Sequence, residues 1–183
     1  MKRIWPLPLV IVATVWGTAG APRASMLRAM SLPELVTSAN EIVVGKVVSV
    51  SAAWDPSHRK ILSTIGVQIE ESWKGLASGS IAIVQPGGTV GEIEMTVHGM
   101  PRFAVGERAL LFLQGHNHFQ VVGMSQGKRP LSWDTDRKQW LVESPDVGDV
   151  VEADARGRLR PVGPSARVTL DDLHEQLRAM DRN

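Results

Sequence analysis

The chain has 183 residues, enough for one domain of ordinary size and too few for two large ones. With 43% apolar and 21% charged residues it reads as globular, and 20 basic against 19 acidic side chains leave no field that selects nucleic acid or an anionic membrane. It has no cysteine, which excludes a thiol nucleophile, a Cys zinc site, a CxxC redox pair and any disulfide.

The opening "MKRIWPLPLVIVATVWGTAGA" has the form of an export signal: Lys2 and Arg3, an apolar stretch from Ile4 to Trp16, then small residues. Ala19-Gly20-Ala21 fits a signal-peptidase site. Pro22 is awkward just after a cut, so cleavage is expected after Ala19, after Ala21 or further on, to about residue 25. The apolar run is short of the ~20 residues a bilayer span needs, and it contains Pro6 and Pro8. A secreted or periplasmic protein with no stable membrane span after cleavage is therefore expected. Losing residues 1–21 removes Lys2 and Arg3, which leaves 18 bases, 19 acids and a formal charge of −1.

"SLPELVTSA" predicts a short helix over 32–38, with Ser31 as N-cap, Glu34 completing a capping box and Pro33 in the first turn. "EIVVGKVVSVSAAW" reads as a central strand, Asp55-Pro56 as a turn, and "ILSTIGVQIEESW" as the returning strand. On the latter, Ile61, Ile65, Val67, Ile69 and Trp73 share one face, while Thr64, Gln68 and Glu70 take the other. "IAIVQ" is a short strand broken by "PGGTVG". "EIEMTVHG" alternates as a further strand, with His98 on the polar face beside Glu94 and Thr96. "RALLFLQ" pairs with "FQVVGMS", and "LSWDTDRKQWLV" is a last hairpin with Asp134, Thr135 and Asp136 at its tip. Residues 143–168 are rich in Pro, Gly and charge and read as an extended linker. A terminal helix over 169–183 follows, with Thr169 as N-cap and Leu170, Leu173, Leu177 and Met180 at helical spacing.

The expected fold is mainly β. Residues 31–142 form a small antiparallel, OB-like β-barrel, with one short helix near the start and another at the C-terminus. Connections between strands are too short for crossover helices.

"LLFLQGHNHFQVV" raises a choice between metal and turn. An H-x-H pair on a strand points two imidazoles to one face, as a zinc site needs. Gly115 and Asn117 are turn residues, however, and no nearby acid supplies a third ligand, so His116 and His118 are expected to cap a hairpin. His98 with Glu94 has the makings of an acid–base pair, but a solvated face is the plainer expectation. "QPGGTVG" lacks the Lys-Ser/Thr of a phosphate loop and any following helix; Gly87 and Gly88 after Pro86 make a tight turn or bulge. Loops on rigid barrels often recognise partners. The candidate binding residues are therefore His58, Gly87, Gly88, Thr89, Gly91, His116 and His118. No catalytic residue, metal ligand or cofactor is assigned.

The series "SANEIVVGKVVSV", "STIGVQIEESWKG", "IAIVQ", "FAVGERALLFL" and "FQVVG" resembles the barrel of netrin-like domains, including the tissue inhibitors of metalloproteinases, and secreted bacterial proteins that carry the same series with "QPGG". The resemblance spans residues 31–123 and implies an OB-fold and export. The inhibitors place an amino-terminal cysteine on the protease zinc. This chain has none, so no family functional residue carries over. The leading expectation is an exported, non-enzymatic domain that binds another protein, such as a secreted protease, through barrel loops. The rivals are a metal-binding protein or hydrolase using His98, His116 and His118, and a structural envelope-associated protein.

Overall fold

The structure, a computed structural model, describes residues 27–146, 150–153, 159–161 and 167–181. The expected export signal and much of the expected linker lie outside these residues. After a two-residue strand, β1 (Leu27–Arg28), helix α1 (Leu32–Ser38) begins at the expected cap. The Ser31 hydroxyl accepts from the Glu34 backbone N–H, and the Glu34 carboxylate accepts from the Ser31 backbone N–H at 2.7 Å. The capping box is thus closed in both directions. Arg28 adds an ion pair to the same carboxylate at 2.6 Å, and these bonds hold the Glu34 pKa at about 2.

Two long strands follow, β2 (Glu41–Trp54) and β3 (Ile61–Lys74), joined by a turn over residues 55–60. Then come β4 (Ser80–Pro86), β5 (Gly88–Val90), β6 (Ile93–Met95), β7 (Arg108–Gln114), β8 (Gln120–Val121), a 3-10 turn (Met124–Gly127), β9 (Lys128–Asp134) and β10 (Gln139–Val142). The chain continues through β11 (Val150–Ala153), β12 (Leu159–Pro161) and β13 (Val168–Thr169) into α2 (Leu170–Asp181). The main sheet runs β13-β10-β9-β7-β2-β3-β4 with every neighbouring pair antiparallel, and β8 pairs with β7. Its two ends, β13 and β4, are not paired with each other among the described residues, so the ladder itself is open. One more contact leaves β4: Ile83 forms a parallel bridge with Phe119, where Phe119 N–H donates to Ala82 O at 3.0 Å and Val84 N–H to Phe119 O at 2.9 Å.

The apolar runs in β7 and in the first half of β2 have a simple cause: these segments are covered on both faces. On β7, Ala109, Leu111 and Leu113 enter one core cluster with Val43, Val47, Ile65, Val67, Ile83 and Phe119. Leu110 and Phe112, of opposite parity, enter a second cluster with Ile42 and Val44, roofed by Leu35 of α1 and Leu170, Leu173 and Leu177 of α2. The terminal helix therefore belongs to the domain core. Its expected N-cap holds, with Asp172 N–H donating to Thr169 Oγ1 at 3.0 Å. Met180, the fourth residue of the expected stripe, is exposed.

Three expectations need correction. The strand expected over "EIEMTVHG" is only β6, three residues long; Ile93 is 54% exposed and His98 lies in a turn. Alternation is a period of two whether or not a neighbour supplies the ladder, and among the described residues β6 pairs only with β5. The "FQVVGMS" strand shrinks to β8, because Gly123 turns left-handed (φ 62°) and opens the 3-10 turn. The expected linker contains β11 and β12, an antiparallel pair that lies beside β1 in parallel register. Strands this short carry no periodic signal.

Candidate functional site

The register of β2, β3 and β4 sets a row of side chains on one face. Val50 stands opposite Ile65, Ile65 opposite Ile83, and Ser63 opposite Gln85. At the end of β4 the chain folds back over this row. Gly87 N–H donates to Ile61 O at 2.9 Å, and the Ser63 hydroxyl donates to Gly87 O at 2.7 Å. The β5–β6 hairpin then forms a flap above the row. Only glycine suits the fold-back: φ is 108° at Gly87 and 126° at Gly88, and a Cβ on Gly88 would stand 2.5 Å from Ser63 Oγ and 2.8 Å from Ala52 Cβ.

Between the row, the flap and residues 96–103 lies a half-open groove of about 370 Å³. Its walls are Val50 and Ile65 on the sheet side and Met95, Val97, Met100 and Phe103 opposite, with Glu94 and Arg102 at hand. Gln85 is the polar group at its base. The amide Nε2 donates to Pro101 O at 2.8 Å, which fixes the orientation of the amide and leaves Oε1 buried with no donor. A buried acceptor without a donor is costly by ~1–3 kcal/mol. Lys128 braces the far wall: its ammonium donates to Arg102 O, pairs with Glu107 at 2.6 Å and sits 4.7 Å from the Phe103 ring.

The candidate residues divide between two ends of the sheet. His58 occupies the β2–β3 turn with φ 52°, its ring 6.4 Å from Trp54. In that turn Asp55 accepts from Ser57 Oγ at 2.5 Å, Arg59 N–H at 2.7 Å and Lys60 N–H at 3.0 Å, bonds that lower its pKa to about 2, the Ser57 contact most. This turn follows Trp54 and precedes Ile61, so it shares an end with Gly87 and Gly88. Thr89 and Gly91 belong to the flap, Thr89 exposed on β5 opposite Glu94 and Gly91 in the flap's turn. His116 and His118 are exposed in the turn between β7 and β8, as expected of hairpin residues. That turn is tied to the opposite end of β2, Gly115 N–H donating to Asn40 Oδ1 at 2.9 Å. The sheet thus brings His58 towards the glycine fold-back and leaves the two histidines at the far end.

Among the described residues no three His, Asp or Glu side chains gather as a metal site, so His98, His116 and His118 do not form one. Among the same residues no helix is long and apolar enough to cross a membrane. Sequence reasoning passed over Gln85, although it has the parity of Ile81 and Ile83 and so points inward. A polar residue at an inward strand position was the available signal. Compared with family models, curated proteins and solved structures, the chain finds no match in any of the three.

Proposed function

We propose that the chain is an exported, non-enzymatic binding module that recognises another protein through the groove and flap at the β2–β3 turn end of an OB-like barrel. The observation that carries this reading is the groove itself, about 370 Å³, in which apolar Val50, Ile65, Met95 and Phe103 stand together with charged Glu94 and Arg102. Such a combination suits binding, with apolar area for affinity and a few polar groups for orientation. The exposed flap tip, Ile93 at 54%, adds apolar surface beside it.

The barrel part of the reading rests on strand order. From β2 the path runs to β3 and β4, across the Ile83–Phe119 bridge to the β8 segment, on to β7, and back to β2. Numbered along the chain, that is 1-2-3-5-4-1 with the third and fifth strands parallel, the order of a small five-stranded Greek-key barrel. Gly75 and Gly115 mark turns at its other end, away from the groove.

The test is affinity capture of the tagged chain from the exported fraction of its host after crosslinking. A single abundant partner is expected, with its yield cut at least tenfold by Ile93→Asp, an exposed change that leaves the fold intact. Undiminished capture by Ile93→Asp would remove the flap from the reading, and no specific partner at all would remove the module.

A further inference from the structure

Resting on the binding-module reading, we propose that the open edge of β2 over residues 48–54 takes up an extended, uncharged peptide segment of the partner as an added strand, with one bulky apolar side chain entering the groove. The edge is created where β7 parts from β2. The last exchange between them is Gly106 N–H to Val47 O and Val47 N–H to Glu107 O, each 2.8 Å. A register shift between Val47 and Ser49 bends the strand there. Beyond it β2 pairs with β3 without interruption from Ser49–Gly66 to Trp54–Ile61, and no strand among the described residues pairs with its other side.

The phase of that ladder is fixed. Asp55 N–H donates to Lys60 O at 2.8 Å, so Ala53, Ser51 and Ser49, each two residues on, turn their backbone groups to β3. The peptide groups of Val50, Ala52 and Trp54 therefore point to the open side. Ile61 gives an independent check, since its carbonyl is engaged by Gly87 N–H on the β4 side. The open edge thus offers N–H and C=O groups at alternate residues, the pattern that an extended strand completes.

Natural edges are blunted by lysine, proline or an inward charge. Residues 47–54, "VVSVSAAW", carry no charge and no proline. Val48 and Val50 are 49% and 42% exposed, and Val105, beside the point of parting, is 66% exposed. Val50 belongs both to this edge and to the wall of the groove. A strand laid along the edge therefore points every second side chain to the face that Val50 shares with Ile65, and the groove beyond has room for one large residue. The neutral edge favours a neutral segment.

The experiment selects a phage library of random nonapeptides on the chain and synthesises the strongest binder. Each of its amides is then N-methylated in turn, and affinities are measured against the chain, Val50→Pro and Val50→Thr. Strand addition predicts losses of tenfold or more at alternate positions only, a similar loss for Val50→Pro, which removes one outward N–H and spares the β3 ladder, and less than threefold for Val50→Thr. Binders indifferent to N-methylation and to Val50→Pro would overturn strand addition, as would failure to enrich any binder; capture of a partner by the unaltered tagged chain, cut by Ile93→Asp, would still uphold the module. Sedimentation is the control for a second copy: a dimer abolished by Val50→Pro would assign the edge to self-pairing and overturn the proposal.

Discussion

Gly88→Ala tests the packing of the flap on the sheet. The new methyl would stand 2.5 Å from Ser63 Oγ and 2.8 Å from Ala52 Cβ, against ordinary contacts of 3.4 Å or more. Ser63 cannot swing aside freely, because it is buried and its hydroxyl is bonded to Gly87 O. Overpacking of this kind costs about 1–3 kcal/mol. The backbone adds about 1–3 kcal/mol, since an L-residue is strained at the φ of 126°. The expected loss is then roughly 2–6 kcal/mol, read as a lowered midpoint in urea denaturation with little change in slope. Two controls divide it. Gly91→Ala, at φ 61° with open space around the new methyl, should cost only the backbone share, about 1–2 kcal/mol. Ser63→Ala removes the nearest clashing atom, so combining it with Gly88→Ala should show a favourable coupling of at least ~0.5 kcal/mol. A cost below ~0.5 kcal/mol for Gly88→Ala would refute the close packing of the flap.

Lys128→Met should destabilise by about 3 kcal/mol in the same assay, because it strips a largely buried ion pair, leaving Glu107 with the Ala104 N–H but no cation and the Arg102 carbonyl without the ammonium donor. Arg129 lines a second cavity of about 190 Å³, and burial pushes its pKa down; Arg129→Met should be neutral or stabilising by up to ~2 kcal/mol, and a clear loss would reveal a partner for the guanidinium. The β2–β3 turn should loosen in acid: the folded Asp55 pKa is depressed from 3.8 to about 2, so its contribution is complete above 3.8 and is lost as pH falls through about 2. The Arg59 and Lys60 amide resonances should titrate with that midpoint, and Asp55→Asn should abolish the titration.

Legibility in the sequence followed local chemistry. Helix α1 was readable to the residue, because Ser31, Pro33 and Glu34 encode a cap that needs no tertiary partner. The β2–β3 hairpin was readable as well, since its turn is built from Asp55 accepting from residues two to five places on. His116 and His118 fell in their turn for the same local reason: Gly115 and Asn117 permit it. Long-range closure was not readable. Nothing near Ile93 says that β6 would find only β5 for a neighbour, and nothing near Val47 says that β7 would leave β2 there. The groove is likewise assembled from β2, β3, β4 and residues 94–103, which meet only through register. One clue was available and unused, the inward parity of Gln85.

A photo-crosslinking amino acid placed in the protein in its own host, at Ile93, at Val50 or at His116, reports which end of the sheet meets a partner. A covalent adduct with one common partner is expected from positions 93 and 50, at the groove end, and none from position 116, at the opposite end of β2. An adduct from position 116 alone, or adducts with no common partner, would overturn recognition at the groove end.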